Sequence, residues 1–111
     1  MLAASRILKL QEGDRLKEIS IRIFVPEPSF NNSWSCHYEV DWPEGTRAAE
    51  AGGADSAQAL FLAMQMIGSE IYTSSYHKSG ELYLDAPDKG YGFPVPLTLR
   101  DLLVGDDKKY I

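Results

Sequence analysis

Residues 52–71 read GGADSAQALFLAMQMIGSEI, and the reading of this stretch decides the fold. Gly52-Gly53 leads into Asp55 and Ser56, both candidate helix caps. After them the only charged side chain before Ile71 is Glu70. A helix that apolar must be covered over much of its circumference, so it is the pillar on which the rest packs. Leu60, Met64, Ile67 and Ile71 share one stripe with Ala63 beside them, while Phe61, Leu62, Met66 and Tyr72 lie off it. Either a second layer covers those residues or part of the helix is an interface.

Upstream of the helix the chain reads as strands. Leu8 and Leu10 alternate with Ile7 and Lys9, and Glu12-Gly13-Asp14 follows as a turn. In LKEISIRIFV, Ile19, Ile21, Ile23 and Val25 share one face against Glu18, Ser20 and Arg22 on the other. The segment 26–33, PEPSFNNS, reads as unable to continue a strand, because two prolines lack the donor and Asn32-Ser33 suits a turn. Then Trp34, Cys36, Tyr38 and Val40 alternate with Ser35, His37, Glu39 and Asp41. An antiparallel hairpin satisfies both patterns with Val25 opposite Trp34, Ile23 opposite Cys36, Ile21 opposite Tyr38 and Ile19 opposite Val40.

Trp42-Pro43-Glu44-Gly45 turns the chain, and TRAAEA adds a short strand before the glycines. Beyond the helix, ELYLD reads as a last core strand with Leu82 and Leu84 inward, and APDKGYGFPVP as an irregular loop. Thr98 with Asp101 resembles a capping box and places a short helix at 99–104, with GDDKKYI left as a polar tail. The fold expected is α+β: a two-layer sandwich with an antiparallel sheet of four to five strands, one long helix across a face and a short C-terminal helix.

With 111 residues the chain is one domain. Apolar and charged fractions of 44% and 24% are those of a globular protein. A net charge of −5 disfavours nucleic acid and anionic membrane as partners and would steer a basic protein toward this one. One cysteine permits no internal disulfide and fits a reducing compartment. The first residues lack the pattern of a signal peptide, and the helix is too short and interrupted to span a bilayer, so a soluble, cytoplasmic protein is expected.

Chemistry-bearing constellations are few. Cys36 and His37 are strand neighbours, so they point to opposite faces and form no dyad; Cys36 reads as a small buried hydrophobe. His37, Glu39 and Asp41 share one side of a strand, a geometry open to metal, but a solvated polar face is the commoner outcome. Asp85 and Asp88 flank Pro87 and are the one plausible carboxylate pair, although aspartate beside proline is ordinary turn chemistry. The rings of Tyr72, Tyr76, Tyr83, Tyr91, Phe93 and Tyr110 form either an interface centre or the closed end of the core. No catalytic residue, metal or cofactor is assigned.

The pattern Trp34-x-Cys36-x-Tyr38, Gly53-x-Asp55-Ser56-x-Gln58-Ala59-Leu60 and Gly80-x-Leu82 resembles a family of small bacterial domains of unknown function, over roughly residues 7 to 96. That resemblance implies a sheet preceding the helix and a bacterial origin, and no activity. By type, a small acidic protein of this kind also resembles the immunity proteins that neutralise toxins. The lead expectation is therefore a non-enzymatic binding protein, most concretely an immunity-type toxin inhibitor. Its expected contacts are Glu39 and Asp41 on the outer strand face and Asp85, Asp88, Tyr91 and Phe93 on the loop. The competing expectations are a small enzyme using the 85–93 loop and a homodimer that hides the helix's excess apolar surface.

Overall fold

Two-residue turns build most of the sheet. The computed structural model describes residues 1–111. Gly13 takes a left-handed backbone (φ 59°), folding β1 (Leu2–Glu12) onto β2 (Arg15–Phe24) as an antiparallel hairpin. Pro43-Glu44 likewise joins β4 (Trp34–Trp42) to β5 (Gly45–Gly53), which pair over nine residues, from Trp42–Gly45 to Trp34–Gly53. The expected short TRAAEA strand is thus a full strand at the sheet edge. With β3 (Glu27–Pro28) and β6 (Leu82–Tyr83) the sheet has six antiparallel strands, one more than the upper expectation. From edge to edge the order is β5, β4, β2, β1, β6, with β3 beside β2 on the same flank of β4.

β2 and β4 form the expected antiparallel pair, but two residues out of the expected register. Ile21 faces Val40 and Ile23 faces Tyr38. The cause lies in PEPSFNNS. Contrary to the expectation, Glu27–Pro28 does continue as strand and pairs with Ser35 and Trp34. Proline is tolerated there because β3 has a partner on one side only. The reversal is then confined to 29–33, where Asn31 and Asn32 both adopt left-handed backbone (φ 58° and 56°). A slip of two keeps every side chain on its face, so the core composition survives the error. Val25 does not follow: it is exposed rather than inward.

The helix α1 (Ser56–Thr73) lies over β4 and β5. Asp55 is its cap, accepting from the Gln58 N–H at 2.8 Å, while the Gln58 side chain accepts from Ala54 N–H at 2.6 Å. Ser56 is the first helical residue and not the cap. Ala59, Ala63, Ile67 and Ile71 form the buried line in one core with Tyr38 and Val40 of β4 and Ala51 of β5, with Leu60 and Met64 half-buried beside it. Small residues take the centre of the stripe because helix and sheet approach closely: a Cβ on Gly53 would lie 2.5 Å from the Ala59 nitrogen. Glu70, the lone charge of the stretch, bolts α1 to the sheet, accepting from the Tyr38 hydroxyl and pairing with Arg47 Nε at 2.8 Å.

The C-terminal third departs most from expectation. After the single turn α2 (Ser75–Lys78), Leu82 is buried and Leu84 half-buried. Thr98 and Asp101 form no capping box: a 3₁₀ helix spans Leu97–Leu102 behind Pro96, without a side-chain cap. The α-helix of this region is α3 (Gly105–Tyr110), in what read as a polar tail. Tyr91, Phe93, Val95 and Leu103 belong to the core. They supply the second layer that α1 required, at Gly68 and Tyr72.

Candidate functional site

With α1 and the 91–95 segment on the inner face, the outer face of the sheet is open. Its side chains come from the outward register positions: Ser5, Ile7 and Lys9 of β1; Glu18, Ser20, Arg22 and Phe24 of β2; His37, Glu39 and Asp41 of β4; Ala48 and Glu50 of β5. Arg22 organises the middle. Its Nε donates to Glu39 Oε1 at 2.9 Å, and its two terminal nitrogens donate to the two oxygens of Asp41 at 2.8 Å each. Thr46 adds a hydroxyl to Asp41 at 2.7 Å. Beside this lattice His37 Nε2 lies 2.9 Å from Glu50, which also accepts from Ser35. Glu39, Asp41 and His37 are therefore committed to Arg22 and Glu50 and do not converge as metal ligands.

The lattice fixes carboxylates in space. A bidentate guanidinium leaves Asp41 one orientation. It also holds the Asp41 carboxyl down at about 2, against an ordinary 3.8, with Thr46 contributing next. The depressed value means that the associated stability is present above about 3.8 and is lost as pH falls through about 2. Because both partners are partly exposed, solvent screening keeps the stabilisation small. Carbon-detected NMR titration should place the Asp41 midpoint near 2, and Arg22→Met should return it toward 3.8. An unshifted midpoint in the unmodified protein would mean that the lattice does not hold in solution.

Around the lattice, apolar side chains are exposed: Ile7 at 46%, facing Ser20, and Leu2 at 49%, with Phe24 half-buried between Leu2 and His37. A depression of about 280 Å³ opens there, lined in part by Phe24, Val25, Glu27, His37 and Glu39.

The other expected contacts lie elsewhere. Asp85 and Asp88 follow β6, three strand spacings or ~14 Å across the sheet from β4. Ala86-Pro87-Asp88-Lys89 is a turn closed by the Lys89 N–H on the Ala86 carbonyl, with Asp88 at φ 62° in its third position. Proline followed by a left-handed residue is the type II pattern, so Asp88 serves the turn. Asp85 and Asp88 are exposed and make no bond to one another. Tyr91 and Phe93 are only 3% exposed; their rings close the core and offer no surface to a partner, which corrects their assignment as contact residues.

What holds that segment is a polar knot around Asp107, which lies in α3 and not in the polar tail expected for GDDKKYI. Asp107 is 2% exposed. Its carboxylate accepts from the Tyr91 N–H at 2.7 Å, the Gly92 N–H at 2.8 Å and the Tyr72 hydroxyl. Gly90 and Gly105 give the approach its closeness; a Cβ on Gly90 would lie 2.5 Å from the Asp107 carboxyl carbon. Arg6 clamps the other side, donating to the Tyr91 and Gly92 carbonyls at 3.0 and 3.2 Å. The Tyr91 hydroxyl meets His77 Nδ1 at 2.6 Å and the Leu82 carbonyl at 3.2 Å. Burial, then the Asp107 charge, push the Tyr72 and Tyr91 hydroxyls up, so both stay protonated donors. Burial pushes the His77 imidazole down against the opposing pull of Asp88, favouring its neutral form. The one local signal for the knot was the pair of glycines bracketing an aromatic at Gly90-Tyr91-Gly92.

No helix of the protein is long and apolar enough to cross a membrane. No curated protein and no solved structure matches the chain. A family model does, over residues 4–95, and the chain belongs to that family, described as a domain of unknown function (DUF6968).

Proposed function

We propose that this domain is a non-enzymatic binding protein whose outer sheet face receives a basic protein partner in the cytoplasm, most concretely as an immunity-type inhibitor of a bacterial toxin. The observation that carries this reading is the Arg22 lattice: carboxylates held in fixed positions, flanked by exposed Ile7, Leu2 and half-buried Phe24. Pre-organised charge raises the rate of encounter and sets orientation, and apolar neighbours slow release. Around the face, Glu18, Glu39, Asp41 and Glu50 outnumber Lys9 and Arg22, in keeping with the net charge of −5. The surface differs from the one expected from sequence in having Ile7 and Phe24 as its apolar element in place of Tyr91 and Phe93.

The test is capture on the immobilised protein from lysate of the source organism, washed at rising salt. The expected result is one stoichiometric basic protein, shed as salt increases, and held at least tenfold more weakly by Ile7→Lys with an unchanged melting curve. Recovery of a partner that Ile7→Lys and Phe24→Lys both hold undiminished would remove the outer face as its seat.

A further inference from the structure

β5 is an edge strand without the features that guard edges. Monomeric sheets blunt their edges with proline, bulges, short length or outward charge. β3 has its proline and β6 its brevity, two residues. β5 runs nine residues in unbroken register with β4, contains no proline, and carries small side chains at Ala48, Ala49, Ala51, Gly52 and Gly53. Its two charges are both turned away from the edge: Arg47 to Glu70 on the inner face, Glu50 to Ser35 and His37 on the outer.

We propose that the free edge of β5, with the flank of α1 above it, is a two-fold interface between two copies of this chain, joining their sheets into one. Registers centred on Arg47 or Glu50 would set like charges against each other across the axis, which disfavours them. Centring on Ala49 places Arg47 opposite Ala51 and Ala48 opposite Glu50; centring on Ala48 places Thr46 opposite Glu50 and Arg47 opposite Ala49. Neither opposes like charges. The edge is thus locally neutral in a protein of charge −5, which suits a second copy better than a basic partner.

The helix geometry agrees. α1 lies over β4 and β5 alike, about half a strand spacing inside β5. With strands ~4.8 Å apart, pairing across the dyad sets the two α1 axes roughly 10 Å apart, the distance at which helices pack. On that flank, one and two turns before Glu70, lie half-buried Met66 and Leu62. The side wall so formed is ~30 Å long and covers on the order of 600 Å² per copy, at the low end of stable interfaces. This pairing is independent of the proposed function and leaves the outer face open.

Sedimentation equilibrium of the full chain decides it. Twice the 12.4 kDa chain mass is expected at about 100 µM protein. Ala48 is exposed and outward, so Ala48→Glu keeps the fold, at a small cost from Glu39 facing it on β4. Yet it meets a carboxylate of the second copy in both of these registers, and it should weaken the dimer at least tenfold. Mixing A48E with A48K should restore association relative to A48E alone. A monomeric unmodified chain at that concentration overturns the proposal, whatever else binds the edge. So does a dimer that A48E leaves undiminished while its melting curve is unchanged.

Discussion

Asp107→Ala is expected to lower the melting temperature by about 15 °C, the larger of two effects that the C-terminal knot predicts. The substitution strips a shared acceptor from the Tyr91 and Gly92 N–H groups and the Tyr72 hydroxyl. Each donor left unpaired in a buried setting costs about 1–3 kcal/mol, and partial hydration relieves some of that, leaving roughly 3–4 kcal/mol. At ~4 °C per kcal/mol for a domain of this size, the shift follows. Asp107→Asn keeps one carbonyl acceptor and should lose about half as much. Tyr72→Phe removes only the hydroxyl and should cost least. Thermal melts by circular dichroism rank the three; an alanine variant melting within a few degrees of the unmodified protein would mean that water replaces Asp107 at no loss.

The second effect has a sign that two principles dispute. Gly68 sits inside α1, where alanine would favour the helix by ~1 kcal/mol. However, a Cβ there would overlap the Pro94 carbonyl oxygen and crowd the Val95 side chain. A backbone carbonyl cannot rotate aside as a side chain can, so the 93–95 segment must move off the helix. Overpacking of this kind costs about 1–3 kcal/mol, and lifting Phe93 and Val95 adds lost burial. Gly68→Ala should therefore destabilise by about 3 kcal/mol net, with denaturant midpoint as the readout. A rise in stability would show that propensity wins and that the segment yields freely.

Strand alternation was legible in the sequence, and the partners of Asp107 were not. Alternation at Ile19, Ile21 and Ile23 and at Cys36, Tyr38 and Val40 reports burial on one face, and the structure buries all six. A cap at Asp55 or Ser56 was equally plain, because capping needs only a short acceptor at a fixed offset, and the structure uses Asp55. Register was not, since a slip of two preserves every face and leaves no trace in the alternation. Nor was β3, because its pairing depends on an edge position that local composition does not encode. Asp107 was invisible for a related reason: its donors lie 15, 16 and 35 residues away. An aspartate followed by lysines reads as solvated until the groups it serves are known. At the outer face, the alternation placed Glu39 and Asp41 on one side with Arg22. A register with Ile23 opposite Cys36, however, sets Arg22 opposite His37 and diagonal to Glu39, out of reach of Asp41, so the bidentate bond to Asp41 was not legible.

The knot also divides the molecule by how it opens. β1 to β5 join through adjacent hairpins, and α1 docks on the two strands that precede it, so these contacts are close in sequence. The stretch from Asp85 to Asp107 is tied instead by a few long-range bonds through Arg6, Tyr72 and Asp107. Such a piece can detach as a unit well below the free energy of global unfolding. Its amides, Tyr91 and Gly92 above all, should exchange with deuterium ahead of those of β2 and β4. Detachment would bare Tyr72 and the Gly68 side of α1 together with the rings of Tyr91 and Phe93. A partly opened species of this kind would expose apolar surface, so loosening the knot with Asp107→Ala is expected to shorten the time to aggregation as well as lower the melting temperature.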